Sequence, residues 1–276
     1  MKDKIVLITG ANSGMGKATA VELANKSACI VMVCRNRQAG IQAKNEIISG
    51  SGNNNVDLLI SDLSSQESIR KLAHEFKNKY NHLDVLINNA GLAFAKRNVS
   101  VDGIEMTFAV NHLGYFLLTN LLLDSLKAAP SARIINIASS THKGAKLDFN
   151  DLEFKNKYSL FNAYNQSKLC NILFTYELAR KLKGTHITVN AVNPGPVKTG
   201  LARDMGAFFQ WMAKSFFPSA EKASATAIYL ASSTEVKGIT GKYFEKCKAV
   251  PSSKLSNDES VAKQLWEISA KITIEG

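Results

Sequence analysis

Six short β-rich runs alternate with longer segments of helical period, and that alternation limits the fold more than any other feature of this chain. The runs are residues 4–9, 29–34, 56–60, 85–88, 133–137 and 187–192; the helical segments are 15–26, 37–48, 65–80, 103–126 and 163–183. Strands alternating with helices imply βαβ units and a parallel sheet covered on both faces. Ile5-Val6-Leu7-Ile8 shows no in/out alternation, which fits a strand buried on both sides. Residues 49–55 (Ser-Gly-Ser-Gly-Asn-Asn-Asn) read as a loop on composition. With 276 residues and 45% hydrophobic content, the chain is long enough for one substantial core, and no linker divides it.

The first strand runs straight into Thr9-Gly10-Ala11-Asn12-Ser13-Gly14-Met15-Gly16, and a helix follows. Glycines let a backbone turn sharply and approach a pyrophosphate closely. The opening helix offers free N–H groups and the positive end of its dipole. Such a turn at the first strand–helix junction is a dinucleotide-binding signal. The expected fold is therefore an α/β, Rossmann-type, doubly wound parallel sheet, a single domain over residues 1–276. A carboxylate that would hold a ribose 2′-hydroxyl is missing from the end of the second strand. Cys34-Arg35-Asn36-Arg37 stands there instead, and a guanidinium suits a 2′-phosphate. The expected cofactor is NADP(H).

Tyr164 and Lys168 lie four apart at the start of a long helical segment, so they share a face. A nearby cation is expected to lower the phenol's pKa from about 10 and fit it for acid/base work on an alcohol or carbonyl. By itself the pair is a weak signal. The five histidines show no zinc-ligand spacing, so no metal is expected.

Taken together, these motifs resemble the short-chain dehydrogenase/reductase family over nearly the whole chain. Thr9 to Gly16 resembles its T-G-x3-G-x-G turn. Asp62-Leu63 resembles the pair whose carboxylate contacts adenine. Asn88-Asn89-Ala90-Gly91 resembles N-N-A-G, and Pro194-Gly195-Pro196-Val197-Lys198-Thr199 resembles P-G-x-V-x-T beside the nicotinamide. The resemblance implies cofactor contacts at Gly10, Asn12, Ser13, Gly14, Met15 and Gly16 in the turn. It implies further contacts at Arg35, Asn36, Asp62 and Leu63, at Asn89, Ala90 and Gly91, and at Pro194, Gly195, Val197 and Thr199. It implies a catalytic set of Asn111, Ser139, Tyr164 and Lys168. Ser139, taken over Ser140 by its spacing from Asn136, would hydrogen-bond the substrate oxygen. Lys168 would also hold the nicotinamide ribose, and Asn111 would fix a water in the proton relay.

The stretch from Thr141 to Leu152, the run Ser167 to Phe174 and the closing Gln264 to Ser269 resemble the retinol dehydrogenase-like branch. Residues 198–220 correspond to a substrate lid. Phe208, Phe209, Trp211, Phe216 and Phe217 make it apolar, which suits a large apolar aldehyde or ketone, or the matching alcohol. The same aromatic stripe also reads as core, or as a peripheral contact with lipid or a partner. No signal peptide, N-terminal anchor or bilayer-length apolar run is seen. Four cysteines without C-x-x-C spacing read as reduced thiols of a cytoplasmic protein. The net charge of +11 is spread from Lys2 to Lys271, which fits a solvated basic surface rather than a nucleic-acid partner. A homo-oligomer through helices 103–126 and 163–183 is expected. The competing function is a non-catalytic NADP-binding sensor or scaffold on the same fold.

Overall fold

The computed structural model describes residues 1–195 and 219–273. Eight strands form one sheet: β1 (Ile5–Thr9), β2 (Cys29–Cys34), β3 (Val56–Ile60), β4 (Val85–Asn88), β5 (Ala132–Ile137), β6 (Ile187–Asn193), β7 (Lys242–Glu245) and β8 (Lys248–Ala249). Their spatial order is β3-β2-β1-β4-β5-β6-β7-β8. All neighbours pair in parallel except β7 with β8. The chain winds outward from β1 to β3, then returns and winds the other way from β4. The switch point therefore lies between β1 and β4, which is where an open α/β sheet presents its crevice.

Both faces of the sheet are buried, and this is why its strands lack alternation. Val6 and Ile8 join Ile30, Met32, Val85 and Ile87 in a core against helices α1 (Gly14–Asn25), α2 (Arg37–Ser51) and the later Ala220–Ser232. Leu7 points the other way, with Val31, Leu86, Ile134 and Val189, toward α3 (Gln66–Lys79) and the helical run that follows β4. That run is broken: α4 (Met106–Phe108), a π-helical turn (Ala109–Leu113), α5 (Gly114–Leu121) and α6 (Leu123–Ala128). The long α7 (Leu160–Lys181) follows, and Ala220–Ser232 and Glu259–Thr273 are α8 and α9.

Two expectations from sequence need correcting. Residues 49–55 are not all loop, because α2 continues through Ser51. It ends at Gly52, whose φ of 67° and N–H to Ile48 close the helix. Composition misled there because Ser51 Oγ donates back to the Ile47 carbonyl, satisfying the last turn locally. Strands β7 and β8 were not foreseen. They are short, and they turn on Lys246 and Cys247, both at positive φ, instead of the Asn-Gly that usually marks a two-residue hairpin.

Helix α9 lies on α7 and α5. Trp266 stacks on Phe174 at 5.9 Å between centroids and meets Phe116 edge-on at 4.8 Å. His112 and Ser269 join beneath them at 2.9 Å. Part of the α5 and α7 surface to which sequence assigns a subunit contact is thus taken by the chain's own last helix. Among the described residues, no helix is long and apolar enough to cross a membrane, and no group of three metal-ligating side chains occurs. All four cysteines are free.

Candidate active site

The glycine turn is stitched to the end of β4. Thr9 Oγ1 accepts the N–H groups of Asn89 and Ala90 at 2.9 and 3.0 Å. Asn89 Nδ2 donates to the Thr9 carbonyl at 2.7 Å and to that of Gly10 at 3.3 Å. Gly10 and Gly14 have φ of 68° and 53°, where a side chain is strained. A Cβ at Gly10 would come 3.0 Å from Ala90 Cα, and one at Gly16 would collide with the Gly10 carbonyl. The turn is thus packed solid on its inner side, while nothing lies within 4 Å of where a Gly14 Cβ would stand. Ser13 precedes α1 without a side-chain capping bond, so its hydroxyl is not spent on the helix. Asn12 and Ser13 are at least partly accessible, whereas Met15 is buried. A backbone cradle at a helix N-terminus, open outward, fits a pyrophosphate.

At the tip of β2, Arg35 is 68% exposed, with its guanidinium 4.0 Å from Asp62 Oδ2. Both residues lie just beyond the carboxyl ends of their strands. Asp62 Oδ1 accepts the Ser64 N–H and hydroxyl at 2.9 and 2.7 Å, which holds its loop. Asn36 is engaged differently, since its Oδ1 caps α2 by accepting the Ala39 N–H at 2.9 Å. Leu63 is buried and packs against Gly114.

The four expected catalytic residues converge beyond β4 and β5. Tyr164 and Lys168 occupy successive turns of α7, with Lys168 Nζ 5.5 Å from the Tyr164 ring centre. Lys168 is buried, and its ammonium donates to the Ile137 carbonyl at 3.2 Å. Ser139 is half-buried and acts on the Tyr164 phenol, whereas Ser140 is exposed. Asn111 is fully buried in the π turn, a distortion common at functional sites. Its Oδ1 accepts the Leu92 N–H at 2.8 Å, and its Nδ2 donates to the Leu92 carbonyl at 2.9 Å and to Ser167 Oγ at 3.1 Å. These bonds clamp the loop after β4 over the site. A Cβ at Gly91 would stand 3.5 Å from Asn111 Oδ1 and 3.6 Å from Lys168 Nζ.

The electrostatics depart from expectation. Burial pushes the Tyr164 phenol up to about 12, with the Ser139 bond acting in the opposite direction, and burial brings Lys168 down to about 8. Desolvation therefore outweighs the cation's expected lowering of the phenol. A neutral phenol beside a lysine that has lost part of its hydration is suited to giving a proton.

After β6, Gly195 has φ of 78° and donates its N–H to Asn193 Oδ1 at 3.1 Å, forming a tight turn behind Pro194. Val197, Thr199 and nearly all of the expected lid lie outside the described residues. Sequence reasoning missed three supports. Thr9 is one, although it opens the glycine motif. Tyr115 is another; its hydroxyl donates to the Ala90 carbonyl at 2.7 Å, and Lys168 Nζ stands 6.0 Å from its ring centre. Asn171, one turn beyond Lys168, donates to the same Ile137 carbonyl at 3.0 Å. Only its position on the Lys168 face of α7 pointed to it.

A short chain dehydrogenase family model matches residues 4–208. The chain belongs to the short-chain dehydrogenase family. Members of this family are oxidoreductases that use a nicotinamide cofactor. This dehydrogenase is 43% identical to retinol dehydrogenase 14 of Mus musculus, over 98% of its own length and 85% of the mouse protein. It is 41% identical to retinol dehydrogenase 13 of Homo sapiens, over 98% and 84%. It therefore falls on the retinol dehydrogenase-like branch. Among solved structures, an uncharacterized protein from Mycobacterium paratuberculosis superposes with a TM-score of 0.82, at 31% identity, over 99% of this chain and 94% of that one. A proposed short-chain dehydrogenase from Escherichia coli CFT073, complexed with NADPH, superposes with a TM-score of 0.71 over 88% and 96%; at 22% identity it shows the shared fold alone.

Proposed function

We propose that this dehydrogenase transfers a hydride between NADP(H) and an apolar aldehyde or ketone, or the matching alcohol, with Tyr164 as the general acid/base. The convergence of Ser139, Tyr164, Lys168 and Asn111 beside a glycine cradle at the switch point carries this reading. A scaffold that only bound the dinucleotide would have no use for a buried lysine and a desolvated phenol. When bound, the cofactor supplies or accepts the hydride. The protein's share is to hold the substrate oxygen between Ser139 Oγ and the Tyr164 hydroxyl and to give that oxygen a proton. Lys168, anchored on the Ile137 carbonyl, supports the phenolate left behind. Both polar ends of the Asn111 side chain are engaged with Leu92.

The NADP(H) preference rests on Arg35 and on the lack of a carboxylate at the tip of β2. Arg35→Ala should raise the KM for NADPH about tenfold, the worth of one charge-assisted hydrogen bond, while leaving that for NADH unchanged. Equal effects on both cofactors would show that Arg35 does not read the 2′-phosphate.

Apolar substrates are favoured by the retinol dehydrogenase relatives and by Phe161. Its side chain is 58% exposed on the first turn of α7, three residues before Tyr164. All-trans-retinal and straight-chain aldehydes of graded length, with decanal among them, test this in an NADPH-oxidation assay. Activity confined to small polar carbonyls would exclude an apolar substrate. The proposed setting is cytoplasmic. Any homo-oligomer would use the part of α5 and α7 that α9 leaves free.

The pH dependence has a definite sign. In the ligand-free enzyme Lys168 carries its charge below about pH 8 and loses it above. The kcat/KM for carbonyl reduction, which reports free-enzyme groups, should hold below about pH 8 and fall above it. Because the phenol stays protonated to about 12, that limb belongs to Lys168 rather than Tyr164. A profile flat to pH 10 would remove the lysine from the proton chemistry.

A further inference from the structure

One buried side chain next to the site has no part in the chemistry proposed above. His142 is 1% exposed and sits three residues after Ser139, in the short 3-10 turn Ser140–Gly144. Its Nδ1 lies 2.6 Å from the Ser139 carbonyl oxygen, and its Nε2 lies 3.0 Å from the Ser253 main-chain nitrogen. A carbonyl only accepts and an amide N–H only donates. Nδ1 therefore carries the proton and Nε2 the lone pair, and the neutral ring uses both. The ring is also fixed from the side by Tyr243, edge-on at 5.0 Å between centroids.

We propose that His142 is the positioning residue of Ser139, tying the serine's main chain to segment 250–257 near the end of the chain. The proposal rests on reading Ser139 as the hydroxyl that binds the substrate oxygen. Ser139 has few other restraints. Among the described residues its Oγ accepts one long bond, from the Thr141 N–H at 3.3 Å, and apart from the imidazole its carbonyl is met by the His142 N–H, also at 3.3 Å. The segment that anchors the imidazole is itself tied down. The Val250 N–H donates to the Tyr243 carbonyl at 2.9 Å, and Ser256 Oγ donates to the Ser253 carbonyl at 2.7 Å. Ser252 Oγ meets the Tyr176 hydroxyl at 2.8 Å. Tyr176 stands on α7, the helix that carries Tyr164 and Lys168. The clamp thus refers Ser139 to the same rigid element as its two partners. A hydroxyl that must meet both Tyr164 and a substrate oxygen needs such a reference, because small misplacements of a reacting group cost large factors in rate.

Three substitutions separate the two ends of the clamp. His142→Phe keeps a ring and loses both bonds. His142→Asn puts an amide N–H near the position of Nδ1 and keeps the bond to Ser139. His142→Gln reaches toward Ser253 and displaces the donor from Ser139. Purified proteins are compared for thermal midpoint, NADPH affinity by fluorescence, and kcat and KM with decanal and all-trans-retinal. His142→Phe should lower kcat about tenfold or more, with NADPH affinity unchanged. His142→Asn should recover most of the loss, and His142→Gln should not. Wild-type kcat in His142→Phe overturns the proposal, and so does a kcat in His142→Gln equal to or above that of His142→Asn. The Asn/Gln comparison decides the matter even if the Phe variant does not fold. Tyr164→Phe is assayed alongside: if it stays active, the catalytic reading itself fails, which is a different outcome from failure of the clamp.

Discussion

Tyr164→Phe should lower turnover by about a hundredfold or more, the usual worth of a positioned general acid, while NADPH affinity changes less than twofold. The substitution removes one oxygen. The ring that faces Lys168 at 5.5 Å is retained, and so is the helix that holds it. The lost contact is the bond with Ser139, so the fold should be nearly as stable as before. Ser139 would still bind the substrate oxygen, but nothing would protonate it. The measurement is steady-state NADPH oxidation with decanal, paired with a fluorescence titration of NADPH. Retention of more than a few per cent of wild-type kcat would sink the assignment of Tyr164. A matching loss of NADPH affinity would turn the result into one about cofactor binding.

Gly16→Val should abolish useful NADPH binding and also destabilise the protein. The added side chain would be driven into the Gly10 carbonyl and toward Asn89 Nδ2, which is already committed to Thr9. The first turn of α1 would have to move away from the β1 turn, carrying with it the N–H groups proposed to hold the pyrophosphate. Overpacking of this kind costs about 1–3 kcal/mol of stability. The loss of cradle geometry should weaken NADPH by about a hundredfold, about 2.8 kcal/mol. Gly14→Ala is the informative contrast. Its Cβ would meet nothing within 4 Å, and the penalty is confined to the positive φ of 53°, about 1 kcal/mol. Thermal melts and NADPH titrations of the two variants should therefore rank Gly16→Val far below Gly14→Ala. Wild-type NADPH affinity in Gly16→Val would mean that the glycine turn does not seat the cofactor.

Most of the fold was legible in the sequence because its signals are local. An unbroken apolar run such as Ile5-Val6-Leu7-Ile8 calls for two covered faces, and the sheet supplies both. The helix boundaries were close for the same reason. Errors fell where local composition and tertiary packing disagree. Ser49-Gly50-Ser51 looks like loop, yet it finishes a helix already anchored by Ile47. Lys242–Glu245 carries too little pattern to announce itself, and it becomes a strand because Tyr243 and Phe244 find buried places beside β6. The site was legible in another way. Tyr164 and Lys168 share a helix face by spacing alone, and Arg35 stands at the tip of β2, where the strand itself ends without a carboxylate.

The sequence by itself determined the alternation of the first six strands with their helices, the cradle at residues 9–16 and the helix face shared by Tyr164 and Lys168. Each is encoded within a few neighbouring positions, through periodicity, glycine conformation or helical spacing. Only the tertiary structure decided that Thr9 fastens the cradle to Asn89 and Ala90. It also decided that burial, not the neighbouring cation, governs the phenol. It alone brought Ser253 to His142 and Ser269 to His112, pairs separated by 111 and 157 positions. Contacts of that range depend on which groups lose water together when the layers close, and no local pattern records that.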